Sequence, residues 1–369
     1  MASDVTTAPL VICIGPMPPP YHGAATMMAA VVDRIREAMT AETIDLSPGV
    51  LKRSLSYHLL RVRRHLAAAR TLMRLDGSRR IVYVSVPGGL GQLYLLALTP
   101  LISRMNAAVF LHHHNYSYIS RPTRLARLLF NRLGAAIHLT LCEQMTRDLR
   151  QQYGQVGEVL AVPNSWALTA AADKAASTQP ASTLCITHLA NLSVEKGLRR
   201  VVDGFRRLVL RFDVSLQLAG AFTNSETQQV VEDACKEFGD RVRYWGPVAG
   251  SAKEELLEIT DVFVFPSDYA NEAAPLVVDE ALAAGAVVVS SPAGCLAELR
   301  AAFPIVQLVA TQDTEGLVSA LVAAVELVNA DRSQVAEQAR SVFFERQRNA
   351  GAGVDRLVER MTRELDPVV

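Results

Sequence analysis

The stretch that most restricts the fold runs from an apolar tract, ITDVFVF at 259–265, to a second one, AVVVS at 286–290. Each tract is short and continuous, as in strands buried on both faces. Between them, Pro266 and Ser267 open a polar loop, and Glu272 precedes a helical pattern in which Leu276, Val277, Ala281 and Ala284 recur. Pro275 suits a first helical position, because the N–H it lacks would be unpaired there. Gly285 suits the end of the helix. Strand, loop, helix and strand in this order predict a βαβ unit of a parallel sheet.

Two carboxylates stand eight positions apart in this unit, Glu272 in the loop and Glu280 two turns into the helix. Free N–H groups at a helix start bind anions, and the helix dipole adds to the attraction. A phosphate therefore fits near Ala273, Ala274, Pro275 and Leu276. Glu272 can accept from hydroxyls beside that phosphate, and Glu280 can hold a more distant diol. A nucleotide sugar carries its groups in that order. An ordinary βαβ element with one surface and one capping Glu fits the spacing equally well.

Further apolar tracts predict strands at 10–14, 81–86, 107–114, 137–141 and 159–162, and again at 183–187, 214–219, 241–245, 261–265, 286–290 and 305–308. The first is followed by GPMPPPYHGAAT, a strand, glycine-containing loop and helix without the GxGxxG dinucleotide fingerprint. GGLG at 88–91 opens a helix and fits an anion or acceptor loop or a plain turn. AAVFLHHH ends with His112 and His114 on one side of a strand, at the carboxyl end where open α/β sheets place ligands. Two such His could ligate a metal, but no third ligand is evident.

With 369 residues, 50% of them hydrophobic, the chain can fill two cores. Its net charge of +0 is unevenly spread: residues 1–165 hold 18 Lys and Arg against 9 Asp and Glu, and the remainder 19 against 28. The basic half suits an anionic partner such as a membrane surface or lipid diphosphate. The acidic second half and the 6% aromatic content argue against nucleic acid. Residues 47–80, with Lys52, Arg53, Arg61, Arg63, Arg64, Arg70 and Arg74 among leucines at helical spacing, fit a helix lying on an anionic membrane or packed with its Arg in water. The five cysteines show no CxxC or Cys/His metal spacing, which predicts reduced thiols in a cytoplasmic protein. The start of the sequence reads as a first strand rather than a signal peptide.

YANEAAPLVVDEALAAG and the following PAGCLAEL resemble the Glu-x7-Glu signature of family-four retaining glycosyltransferases, in the form of their bacterial polysaccharide-assembly members. The resemblance implies α/β architecture with two Rossmann-like domains facing across a cleft (GT-B): residues 1–165, a linker at 166–181, a nucleotide-sugar domain at 182–350, and a C-terminal helix at 351–369 packing back on the first domain. Glu272 would contact the donor sugar and Glu280 the ribose. LANLSVEKG resembles the segment that holds the donor diphosphate: Lys196 matches its Lys, whereas Asn191 stands where Arg is common, leaving Lys196 to share the load with amides or with Arg199 or Arg200. Gly23 matches the glycine of the first loop. His114, with His112 second, matches a His facing the sugar. Gly220, Pro247 and Val248 match nucleotide-side loops.

The implied activity is metal-independent hexosyl transfer, with retention, from a nucleotide diphosphate sugar to a hydroxyl, the acceptor being a saccharide or lipid-linked oligosaccharide of surface polysaccharide synthesis. No cofactor is expected, and no Asp-x-Asp occurs. The expected location is the cytoplasm, with peripheral contact at the inner face of the membrane. A silent nucleotide-sugar-binding subunit, a sugar-nucleotide epimerase and a sugar-phosphate synthase are the alternatives on the same frame.

Overall fold

A computed structural model describes residues 10–20, 23–49, 55–75, 80–168, 183–302, 304–310 and 312–365. The chain divides into two compact units, residues 1–167 with 350–369, and residues 168–349. The expected linker falls mostly outside the described residues.

The first unit contains β1 (Leu10–Gly15), α1 (Gly23–Ala38), β2 (Thr40–Asp45), α2 (Leu55–Arg74), β3 (Arg80–Val86), α3 (Gly91–Arg104), β4 (Ala108–His113), α4 (Ser117–Ser120), α5 (Arg124–Arg132), β5 (Ile137–Thr140), α6 (Glu143–Tyr153) and β6 (Val159–Ala161). Its six strands form one parallel sheet in the order β2-β1-β3-β4-β5-β6. β2 is absent from the sequence reading. It is an edge strand whose one buried side chain is Ile44, so it carries no apolar run.

The second unit contains β7 (Leu184–Leu189), α7 (Leu198–Leu208), β8 (Val214–Ala219), α8 (Ser225–Phe238), β9 (Val242–Tyr244), α9 (Ser251–Glu258), β10 (Val262–Phe265), α10 (Leu276–Ala284), β11 (Val287–Ser290), β12 (Val306–Leu308) and α11 (Thr314–Ala330). Its sheet is parallel, in the order β12-β11-β10-β7-β8-β9. β7, β10 and β11 are buried along their whole length, as expected for strands covered on both faces. The winding reverses between β7 and β10, which makes the carboxyl ends of these two neighbours the switch point of the sheet, where open α/β folds place ligands.

A last helix, α12 (Arg332–Leu365), divides between the units. Arg332 makes a two-nitrogen contact with the Asp261 carboxylate, both at 2.6 Å, and Arg346 donates to Asp279 at 2.6 Å, both within the second unit. Val354, Leu357 and Met361 complete the core of the first, beside Val11, Tyr83 and Phe110. Cys13, Cys185 and Cys235 are free thiols, so the expectation of five reduced cysteines holds for three of them and not for Cys142 and Cys295. No described helix is long and apolar enough to cross a membrane.

Candidate active site

The loops that leave β7 and β10 bring Lys196 and Glu272 together. After β7 the chain runs through Asn191 to Lys196, and Gly197 turns it into α7 with φ +87°. A Cβ there would lie 2.6 Å from the Pro266 carbonyl, so only glycine lets this loop press against the one after β10. The two loops are also stitched by Asp268 N–H, which donates to the Glu195 carbonyl at 2.8 Å. Across this seam the Lys196 amine donates to Glu272 Oε2, which also accepts from Ser267 Oγ at 3.2 Å. The two side chains are 16% and 10% exposed. The amine stands 5.2 Å from the centre of the Phe265 ring and 4.9 Å from that of Tyr269, so cation–π attraction adds to the ion pair.

Glu272 is held from behind. Gly294, at φ +57°, lies so close to its backbone that a Cβ would meet the Ala273 carbonyl at 2.3 Å. The same carbonyl accepts from Cys295 N–H at 2.7 Å. Pro275 is the cap, with an extended ψ of 115°, and the helix proper begins at Leu276, one residue later than the proline pattern suggests. At the start of α10 the Val278 N–H donates to the Pro275 carbonyl at 3.2 Å, while the Leu276 and Val277 amides precede any carbonyl partner within the helix. Glu280 accepts from Lys253 Nζ of α9 at 2.5 Å through Oε1, while its Oε2 is buried without a hydrogen-bond partner. A carboxylate oxygen held this way is a ready acceptor for a ligand hydroxyl.

Of the other residues expected here, Asn191 and Pro247 are exposed and Val248 is half-buried. Gly220 answers an internal demand: at φ +126° its Cβ would lie 1.6 Å from the Ala190 carbonyl. Arg200 is committed to the Pro266 carbonyl at 2.6 Å and to Asp268 at 3.4 Å, and Arg199 to Glu226. Lys196 is therefore the cation aimed at the space beside Glu272. At β9, the Arg243 guanidinium lies over the Trp245 ring, 3.9 Å from its centre, and Phe222 stacks on Tyr244. Ser267, Lys253 and Gly294 had no local signal in the sequence, since each partner lies across a loop or on another helix.

Gly23, His112 and His114 belong to the first unit. Gly23 opens α1, and among the described residues nothing lies within 4 Å of a Cβ placed there. His112 is fully buried, with Nδ1 2.5 Å from the Tyr83 hydroxyl, so it lies inside the fold rather than at a ligand surface. His114 follows β4 and lines a cavity, with Nε2 buried and without a hydrogen-bond partner. Burial pushes its pKa down to about 4, so the ring is neutral at pH 7. Among the described residues no cluster of three His, Cys, Asp or Glu could hold a metal ion.

With this geometry in hand, comparison with known proteins gives a consistent picture. Residues 183–326 match the family model described as Glycosyl transferases group 1. That segment contains Lys196, Glu272 and Glu280. Solved structures share the fold along nearly the whole chain. HepE of Anabaena, in complex with UDP, is 15% identical with a TM-score of 0.68, covering 97% of this chain and 99% of its own. A UDP-forming α,α-trehalose-phosphate synthase of Burkholderia xenovorans is 13% identical with a TM-score of 0.70, covering 98% and 100%. A sucrose-phosphate synthase of Thermosynechococcus elongatus is 16% identical with a TM-score of 0.68, covering 96% and 98%. A comparison with curated proteins found no match. The two six-stranded parallel α/β units are those of GT-B glycosyltransferase structures.

Proposed function

We propose that the chain is a retaining, metal-independent glycosyltransferase that uses a nucleotide diphosphate sugar. The observation that carries this reading is the convergence of the Lys196 amine, the Glu272 carboxylate and the start of α10 at the switch point of the second sheet. Lys196 and the α10 amides offset the charge of the diphosphate, in the manner of an oriented electrostatic clamp. Glu272 accepts from the sugar hydroxyls, and Glu280 Oε2 from the ribose diol. In the reaction an acceptor oxygen bonds to the anomeric carbon while the bond to the diphosphate breaks. The leaving electron pair stays on the nucleoside diphosphate, which takes up the hydroxyl proton.

UDP is named with HepE and with the UDP-forming trehalose-phosphate synthase, so UDP sugars are the first donors to test. The acceptor is a saccharide, carried on a lipid in surface polysaccharide assembly. The exposed Leu59, Val62, Leu66 and Met73 of α2, set among Arg63, Arg64, Arg70 and Arg74, suit peripheral contact with an anionic membrane. The test is a screen of nucleotide sugars for thermal stabilisation, since a ligand of the folded state raises apparent stability. Product analysis with an acceptor mixture, with and without chelator, follows. Transfer in the presence of chelator is expected. Stabilisation by no nucleotide sugar, or turnover abolished by chelator, would overturn it.

A further inference from the structure

The first unit holds a cavity of about 230 Å³. It lies beyond the carboxyl ends of β1, β3 and β4, where the order of that sheet also reverses, between β1 and β3. Leu46, Pro48, Pro87 and Leu95 give it apolar walls. Its polar lining comprises Tyr57, Arg61, His65, Ser85, His114 and Asn115. Arg61 of α2 projects into it, with its guanidinium 4.8 Å from the centre of the Tyr94 ring and 5.9 Å from that of Tyr57. Among the described residues Arg61 makes no salt bridge; its polar neighbour is the Tyr57 hydroxyl at 3.5 Å. Among the described residues no Asp or Glu lines the cavity. Asn115 Oδ1 is taken by Ser117 N–H and Oγ, which turns the donor nitrogen Nδ2 toward Gly88, where a Cβ would meet it at 2.4 Å. His114 adds its unpartnered Nε2.

The glycine run at 88–91 now has a reason. A Cβ at Gly88 would strike Asn115, and one at Gly91 would stand 2.7 Å from an Arg61 nitrogen. Both glycines keep room for side chains that line the same cavity. A cation held without a carboxylate, among N–H donors and at the end of a sheet, is built for an anion; a planar guanidinium fork fits phosphate oxygens with two bonds at once.

We propose that this cavity binds the phosphate group of the acceptor, with Arg61 as its charged ligand and Asn115 and His114 oriented toward the attached polar part. The inference rests on the glycosyltransferase reading for the word acceptor, but not for the phosphate site itself. The phosphate comes either from a soluble sugar phosphate or from a prenyl phosphate that carries the saccharide.

The test is calorimetry on the full chain with no nucleotide present, so the outcome does not depend on transfer. One arm compares glucose 6-phosphate with glucose. The other compares neutral detergent micelles that contain polyprenyl phosphate with the same micelles alone. At least one phosphorylated probe should bind better than its neutral counterpart, and the responding arm identifies the source. Arg61→Gln should weaken that binding roughly 10- to 100-fold, the loss of a charge-assisted pair. If that variant melts early, Arg61→Lys replaces it: it keeps the charge, loses the fork, and should bind the phosphate more weakly than wild type. Equal binding of phosphorylated and neutral probes, or unchanged affinity in both variants, would overturn the site. Transfer failing in every assay while Arg61-dependent phosphate binding persists would instead count against the glycosyltransferase reading.

Discussion

Changing Lys196 to Met keeps the length of the side chain and removes its charge. Two losses follow, and they can be read apart. Glu272 is left as a carboxylate that is 10% exposed, with the Ser267 hydroxyl as its remaining side-chain donor. Removing one member of so buried a pair costs about 3 kcal/mol, the low end of the range because some solvent reaches it. At about 2–4 °C per kcal/mol for a unit of this size, melting should fall by about 6–12 °C. The second loss is catalytic. A positive group aimed at charge that develops on a leaving diphosphate is worth about 10²–10³ in turnover. Adding Glu272→Gln removes the orphaned charge, so the double variant should recover most of the stability and none of the turnover. Melting curves and initial rates with a competent UDP sugar check both. Turnover of Lys196→Met within about threefold of wild type, under 1 kcal/mol of barrier, would refute the diphosphate role. Equal melting of the single and double variants would refute the pair's part in stability.

Three further outcomes are expected. Glu280→Gln should weaken UDP binding by roughly 10- to 100-fold in calorimetry, since a bond to a charged acceptor contributes about 1.5–3 kcal/mol; an unchanged affinity would remove the ribose assignment. Gly294→Ala should destabilise by more than about 2 kcal/mol, because it adds positive-φ strain to a contact with the Ala273 carbonyl, and should raise the donor KM by shifting Glu272. The pH dependence of stability has a definite sign. Burial lowers the pKa of His114, His138 and His188 to about 4 from 6.5, so the unfolded chain takes up protons first as pH falls. Their contribution is whole above pH 6.5 and should be lost as the pH drops toward 4, by about 3 kcal/mol for each ring. A denaturation free energy that stays flat across this window would contradict their neutral burial.

The sheet strands were legible in the sequence because parallel strands buried on both faces are unbroken apolar runs. β2 was not, since an edge strand with one buried side chain has polar alternation and no run. Lys196, Glu272 and Glu280 stood out because each sits next to a strand end or helix start that can be read locally. Their partners did not. Lys253 reaches Glu280 from another helix, and Gly294 braces Glu272 from beyond β11. The histidines show the same limit. Alternation correctly places His112 and His114 on one side, with ring centres 4.0 Å apart, yet only packing separates the buried one from the one that lines a cavity. Arg61 was one basic residue among many in α2 until its neighbours set it apart from Arg63 and Arg64, which point to the surface.

The division of α12 bears on how the protein is made. The first unit is encoded at the front of the chain, but Val354, Leu357 and Met361 are pieces of its interior that leave the ribosome only after the entire second unit. The usual front-to-back order of domain maturation cannot hold here. During synthesis the leading unit must wait with its apolar seam open. A chain truncated after residue 349 would therefore hold every residue of the rear half and lack part of the front one, the reverse of translation order.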